Sequence, residues 1–395
     1  MNEEFMGYQR PNGEVGIRNK IAIISSVVCV NHVVQQIASK IKDAVPITHP
    51  LGCGQFGPDY NNTLNTLIGL GKNPNVFGAV VVGLGCENIS SGLIAKNIKK
   101  SKKPVEYFDL QEVKGGSPAA IGKGIILGNR ISEEAREMKR EPFDFSHIVL
   151  GLECGGSDSI SGISANPALG IISDRIVKFG GTSILAEFTE WIGTEHLLIK
   201  RAIDKSVAEQ IHKLLSGFLE NLKDLGINFL GVQPTPGNIQ GGLTTIEEKS
   251  LGSIAKAGKS PIQGLIQYSE EPKGKGLWLM IEPSLDVESM TGLAAAGANI
   301  IAMTTGRGSP CGNPVVPVIK LCGNPKTCEW MAENIDVDVS SIIKGENSVE
   351  ELAEVLWLRM KKALNGEKTQ AEKLGFNDIA IWRNTASPFQ YMHCK

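Results

Sequence analysis

Three cysteines stand where a parallel sheet would present a ligand. Cys53 follows an apolar run at 45–49, Cys86 one at 76–84 and Cys154 one at 147–152, each beside glycine in a turn. Open parallel sheets bind ligands beyond the carboxyl ends of their strands, so turns far apart in sequence can converge. Three thiolates with an open fourth position suit a soft or borderline metal, or three corners of an iron–sulfur cluster. The open position is what a substrate-binding metal needs. His49 and Glu87 lie close enough in sequence to add ligands or to orient them. The competing reading is that these cysteines are small apolar fillers at buried strand ends. The chain has no compact C-x-x-C pair, and Cys29, Cys311, Cys322, Cys328 and Cys394 read as structural or incidental thiols.

Other segments offer polar groups for a substrate. Glu153-Cys154-Gly155-Gly156-Ser157-Asp158-Ser159 is a glycine-rich turn whose backbone N–H groups could cradle an anion. It leads through Asn166 to Pro167, a suitable residue for a first helical turn, and a helix N-terminus favours a carboxylate. Arg307, between two glycines, could grip a carboxylate with both arms of its guanidinium. Ser157, Asp158, Asn166 and Arg307, with His49 and Asn88, are therefore the expected substrate-binding residues. Helix capping and an ordinary surface arginine are the plain alternatives. Glu87 and Glu190 are the expected acid–base groups. Residues 235–242 read as a lid or as a simple connector.

These residues need a frame. Strand-like runs at 21–30, 45–49, 76–84 and 105–109 alternate with helical stretches at 33–42, 61–70, 90–99 and 119–139. Further strands are expected at 147–152, 182–188, 277–281, 300–304 and 315–320, with helices at 167–179, 200–225 and 349–365, while 228–235 leads into the loop at 236–242. This pattern predicts an α/β fold: parallel-sheet layers covered by helices, in two domains, with the site at the strand C-terminal ends. A linker at 141–146 sets the boundary between an α/β domain at 1–140 and a larger one at 141–395. A length of 395 residues supports such cores without disulfides. The eight cysteines should be reduced, and the 45 glycines suit a site built from loops. A net charge of −2 points away from nucleic acid. The N-terminus has no basic start followed by an apolar stretch, and no apolar run is long enough for a bilayer. A cytoplasmic chain with no membrane partner is expected. Walker A and G-x-S-x-G motifs are absent, and Cys86-Glu87-Asn88 breaks the dinucleotide pattern begun at Gly83 and Gly85.

The run Gly7-Tyr8-Gln9-Arg10-Pro11-Asn12-Gly13-Glu14-Val15-Gly16-Ile17-Arg18-Asn19 resembles the opening of the main domain of the altronate/galactarate dehydratase family. The likeness continues through 49–55, 83–88, 153–167, 235–243, 251–261 and 304–317. It implies a need for Fe2+ or another divalent metal, and it favours Cys53, Cys86 and Cys154 as ligands. Family members with one long chain carry a small β-rich domain ahead of this start. Relatives with two subunits, including sulfolactate sulfo-lyases, place it on a separate chain expected to supply a histidine. The resemblance thus implies a small β-rich partner subunit, an oligomeric enzyme and a small hydroxy-carboxylate substrate. The implied reaction is loss of water from a sugar acid to give a 2-keto-3-deoxy acid. The alternatives are a sulfo-lyase large subunit releasing sulfite, a non-catalytic metal-binding scaffold and an iron–sulfur electron carrier.

Overall fold

The computed structural model describes residues 3–383, apart from 225, 228, 230–232 and 283. Among the described residues, fourteen strands form three sheets. The first six are β1 (Glu4–Gln9), β2 (Val15–Gly16), β3 (Lys20–Ser25), β4 (Ala44–Ile47), β5 (Val76–Gly83) and β6 (Val105–Asp109). The next four are β7 (Glu141–Asp144), β8 (Val149–Gly155), β9 (Thr182–Leu185) and β10 (Ile262–Ile266). The last are β11 (Gly276–Met280), β12 (Ile300–Thr305), β13 (Val318–Cys322) and β14 (Val337–Asp338). A four-stranded parallel sheet has the order β4-β3-β5-β6, and a seven-stranded parallel sheet the order β10-β11-β9-β8-β12-β13-β14. The fold is α/β with parallel sheets layered by helices, as the alternating pattern predicts.

Period-two alternation shows why β3 lies in the middle of its sheet. Ile21 and Ile23 enter one core with Val34, Ile37 and Ile131. Ala22 and Ile24 enter another, shared with Leu67, Leu70, Leu293, Ile301 and Met303 of the space between the two sheets. Both faces are apolar, which fits a strand covered on both sides. A third core lies on the far face of the large sheet, where Leu150, Leu152 and Ile300 meet Leu169, Ile172, Leu356 and Trp357.

Side-chain amides fasten the two sheets together. Asn73 Nδ2 donates to the carbonyls of Ala294 and Ala298, and Asn75 Nδ2 donates to that of Asn299. The helix Gly57–Lys72 packs along the helix Asp286–Ala295, with Gly69 so close to Ala295 that a Cβ would sit 2.3 Å from its carbonyl oxygen.

Several elements differ from the sequence reading. Residues 141–146 do not form a bare linker: Glu141–Asp144 pairs antiparallel with β1, so the N-terminal strand closes a small sheet with it. β3 stops at Ser25, because the Ser25 hydroxyl turns to bond the Val27 carbonyl and Asn31 and a short turn at Val28–Val30 follows. β13 starts at Val318, after Pro317, since proline cannot donate to a ladder. The helix Lys205–Asp224 begins later than expected, after Asp204 bonds the Val207 N–H. No helix among the described residues is long and apolar enough to cross a membrane.

Leu293 lies wholly buried between the two sheets. Leu293→Ala should lower the free energy of unfolding by roughly 2–5 kcal/mol in urea titration, and a loss below about 1 kcal/mol would count against a shared core.

Candidate functional site

The large sheet creates a crevice at the end of β8. The helix Ala165–Lys178 leaves β8 on one face, and the helix Asp286–Ala295 enters β12, its neighbour, from the other. This change of face is where open α/β sheets bind ligands. Cys154 is the penultimate residue of β8, and it is buried.

Around its sulfur lies a charged cluster almost closed to solvent. The Cys154 thiol donates to Glu190 Oε2 at 3.0 Å, and Lys256 Nζ donates to the sulfur at 2.9 Å. Lys256 also pairs with Glu187, bonds Ser253 Oγ at 2.9 Å and lies 3.8 Å from Glu190. Lys249 pairs with the other oxygen of Glu190 at 2.9 Å. Glu187 accepts the Cys154 N–H at 2.9 Å from a left-handed backbone with φ +71°. That conformation is strained for a residue with a side chain, and such strain collects at functional sites.

Local structure explains these placements. Thr245 caps the helix Ile246–Ala255 by accepting the Glu248 N–H. Lys249, Ser253 and Lys256 recur at helical spacing and so share one face, which turns toward β8. Their polarity is matched by acids beyond β9 rather than by water.

The charges are unequal. Glu153, Glu187, Glu190, Glu282 and Asp286 outnumber Lys249 and Lys256 in the same interior. Burial, then the charges of Glu187 and Glu282, push Glu153 well above the usual carboxylate range, and neither of its oxygens has a hydrogen-bond partner. Burial and the Glu190 charge raise Glu187 to about 7, against the pull of Lys256. Burial and Glu187 raise Glu282 to about 8. For Glu190, burial works upward, but Lys249 and Lys256 outweigh it and bring the group down to about 2. Burial, with Glu187 and Glu190, pushes the Cys154 thiol well up, so it remains protonated as a donor. Burial opposes the charge of Lys256, yet the surrounding acids hold it well above the ordinary lysine range.

A cavity of about 240 Å³, with polar and apolar walls, opens beside this cluster at Lys249 and Ser253. Ser157, Asn166, Lys249 and Ser253 are among its walls. Asn166 donates to the Gly252 carbonyl, while its buried Oδ1 has no partner. The segment 235–242 covers this region: Asn238 Nδ2 donates to the Ser157 carbonyl, and Arg307 Nη1 donates to the Gly237 carbonyl at 2.6 Å. A larger cleft, of about 520 Å³, lies elsewhere among Arg18, Lys20 and Glu372 and contains none of the Cys154 cluster.

The expected site residues therefore fall into different places. Cys154, Glu190, Ser157 and Asn166 come together. Asp158 lies beside the cavity but is spent on structure, accepting from Ser161 and Asn324. Arg307 holds the covering segment rather than facing Cys154. Cys53 and Cys86 are exposed on the small sheet. Among the described residues, no group of three ligand atoms within 4.8 Å contains either of them, so the expected set with Cys154 is not assembled as the ligands of one ion. The Glu87 carboxylate accepts from Ser26, Leu84, Gly85 and Cys86, and these bonds overcome burial to hold it below its ordinary range. These bonds make Glu87 the organiser of its loop, away from the Cys154 cluster. His49 is buried and pushed down to about 4 by desolvation; Nε2 bonds the Ser25 carbonyl and Nδ1 accepts from Leu51, leaving no nitrogen for substrate. Asn88 Nδ2 donates to the Gln55 carbonyl at 2.5 Å.

Cys154, Glu187 and Glu190 each offer a ligand atom, and these atoms lie within 4.8 Å of one another. A thiol and two carboxylates form a donor set able to hold a divalent metal ion. Lys256 Nζ is the positive charge that now neutralises them, so a bound ion would replace or shift it. The sequence reading misses Lys249, Ser253 and Lys256, although their spacing on one face of a capped helix carries the signal.

A parallel α/β fold with a buried acid–lysine–thiol centre at a change of crossover face has the groups that proton transfer requires. The particular family is shown by comparison. A model of the D-galactarate/altronate dehydratase C-terminal region matches residues 145–387, and one of the second domain of D-galactarate dehydratase/altronate hydrolase matches residues 7–136. The chain belongs to the D-galactarate/altronate dehydratase family. It is 37% identical to (2R)-sulfolactate sulfo-lyase subunit beta of Chromohalobacter salexigens, covering 96% of this chain and 97% of that protein. It is 34% identical to the altronate dehydratase of Bacillus subtilis over 97% of this chain and 78% of the relative. Identity to the galactarate dehydratase (L-threo-forming) of Escherichia coli is 32%, over 96% and 76%.

Glu187 and Glu282 hold protons in the folded chain at pH values where an ordinary glutamate near 4.5 has lost them. Their contribution is fully present below 4.5 and is lost as pH rises through about 7 and about 8, so stability should fall across that window. Glu282→Gln should reduce this fall in urea midpoints measured from pH 5 to about 9; an unchanged slope would contradict the assignment.

Proposed function

We propose that this chain is the main catalytic part of a metal-dependent lyase that removes water from a sugar acid of the altronate or galactarate type. The product would be a 2-keto-3-deoxy acid. The observation that carries this reading is the cavity whose wall residue Lys249 is paired with a buried, ionised Glu190.

Taking a proton from carbon beside a carboxylate builds negative charge on a group that already carries one. Lys249 supplies positive charge at the cavity wall, where a substrate carboxylate can pair with it. Ser157 and Asn166 offer hydrogen bonds to hydroxyl groups, and the free Asn166 Oδ1 needs such a donor. A carboxylate on Lys249 competes with Glu190 for that ammonium. Weakening the pair raises the proton affinity of Glu190 and suits it to act as the base. Lys256 holds Glu187 and Cys154 in place behind it. A divalent ion such as Fe2+, held by Cys154 and Glu187 with Lys256 displaced, would supply Lewis-acid stabilisation of the substrate's oxygen atoms and leave Glu190 free to take the proton.

The subunit designation of the sulfo-lyase relative supports a multi-subunit assembly, in which a small β-rich partner completes the site. The near end-to-end match to that subunit also favours a second reading, in which sulfite rather than hydroxide leaves. Removal of the proton is common to both.

The assembled enzyme should be assayed with altronate and galactarate for keto-acid formation, and with (2R)-sulfolactate for sulfite. Keto acid from a sugar acid, without sulfite chemistry, supports the leading reading; sulfite release from sulfolactate alone would replace it. Glu190→Gln should lower kcat by roughly 10²–10⁴-fold with the fold intact by circular dichroism. Lys249→Met should raise KM and lower kcat/KM, and unaltered kinetics would remove Lys249 from substrate binding.

A further inference from the structure

The small sheet has its own chemistry-bearing edge. β4, β3 and β5 are parallel neighbours, so their carboxyl ends lie side by side. Cys53 follows β4, Cys29 follows β3 and Cys86 follows β5. Among the described residues, the exposed cysteines are these three, whereas Cys154, Cys322 and Cys328 are buried. Exposed thiols are open to oxidation, and three on one edge call for an explanation.

A polar network knits the three loops together. The Val28 N–H donates to the Leu51 carbonyl at 2.9 Å, and Asn31 Nδ2 donates to the His49 carbonyl at 2.8 Å. His49 links back to Ser25. Glu87 ties Ser26, at the end of β3, to the N–H groups of 84–86 at the end of β5. Asn88 joins that loop to Gln55, which also accepts the Gly52 N–H. Gly52, at φ +103°, passes so close to β3 that a Cβ would lie 2.1 Å from the Ser26 carbonyl oxygen. This side-chain investment positions backbone that carries sulfur at the surface; it adds little to a core.

We infer that Cys29, Cys53 and Cys86 together hold an iron–sulfur cluster, with one iron left open. A single tetrahedral ion draws thiolate sulfurs to about 3.8 Å of one another, given metal–sulfur bonds of about 2.3 Å. Among the described residues, no group of three ligand atoms within 4.8 Å includes these sulfurs. A cluster takes each thiolate at a separate corner and therefore suits wider spacing. The helices Asn31–Ala38, Gly57–Lys72 and Ser91–Ile98 each begin shortly after one of the cysteines, and their N-terminal partial charges favour an anionic group. The inference does not depend on the reaction proposed above, and it gives Cys29 the third place that the sequence reading assigned to Cys154.

The full chain, purified without oxygen and supplied with ferrous iron and sulfide, should retain iron and acid-labile sulfide in equal amounts after desalting. It should show a visible charge-transfer band and a cluster signal in electron paramagnetic resonance after reduction or oxidation. Cys29→Ser, Cys53→Ser and Cys86→Ser should each retain roughly tenfold less sulfide than the parent, while Cys154→Ser and Cys322→Ser keep it. Circular dichroism and thermal melting of the three variants establish that the fold survives. Iron bound without sulfide, no uptake by the parent, or full cluster content in folded Cys29→Ser would each overturn the inference. These readouts measure bound cluster rather than turnover, so they separate this inference from the lyase reading.

Discussion

The ammonium of Lys256 is the interaction on which the centre depends. It sits without solvent contact among Glu187, Glu190 and the Cys154 sulfur. Like charges this close in a low-dielectric interior repel strongly unless a cation stands between them. With Lys249, Lys256 lets Glu190 remain ionised, while burial and neighbouring acids keep Glu153 and Glu282 protonated. One side chain at a helix end thus stands between acids contributed by the turn after β9 and the sulfur at the end of β8.

The rest of the large sheet serves this arrangement. β8 lies in its middle, with β9 and β12 as direct neighbours, so the residue at its end is held on both sides by ladder hydrogen bonds. The helix Ile246–Ala255 is set by its threonine cap and delivers two lysines at different depths, one at the cavity wall and one behind it.

Much of the frame was legible in the sequence because apolar alternation and glycine turns are local signals. The runs at 76–84 and 105–109 correspond to β5 and β6 almost residue for residue. The site was legible in part. Cys154 stands out by its glycine-rich turn and Glu190 by its cluster of acids, but their contact depends on the sheet order, which no local pattern states. Lys249 and Lys256 look like ordinary charges on an amphipathic helix until the opposing acids are seen. Cys29 is concealed within an apolar run at 21–30 that reads as one strand; the turn after Ser25 that frees it arises from a serine–asparagine bond and a close approach by Gly52.

The asparagine bonds between the sheets have a mechanical consequence. Asn73 and Asn75 fasten backbone to backbone through stiff amides deep in a shared core, so the two halves have no easy hinge. Any opening toward the cavity beside Cys154 then has to come from the stretch 235–242, which is tied to Ser157, Ser159 and Arg307 by a few hydrogen bonds and not by a sheet ladder.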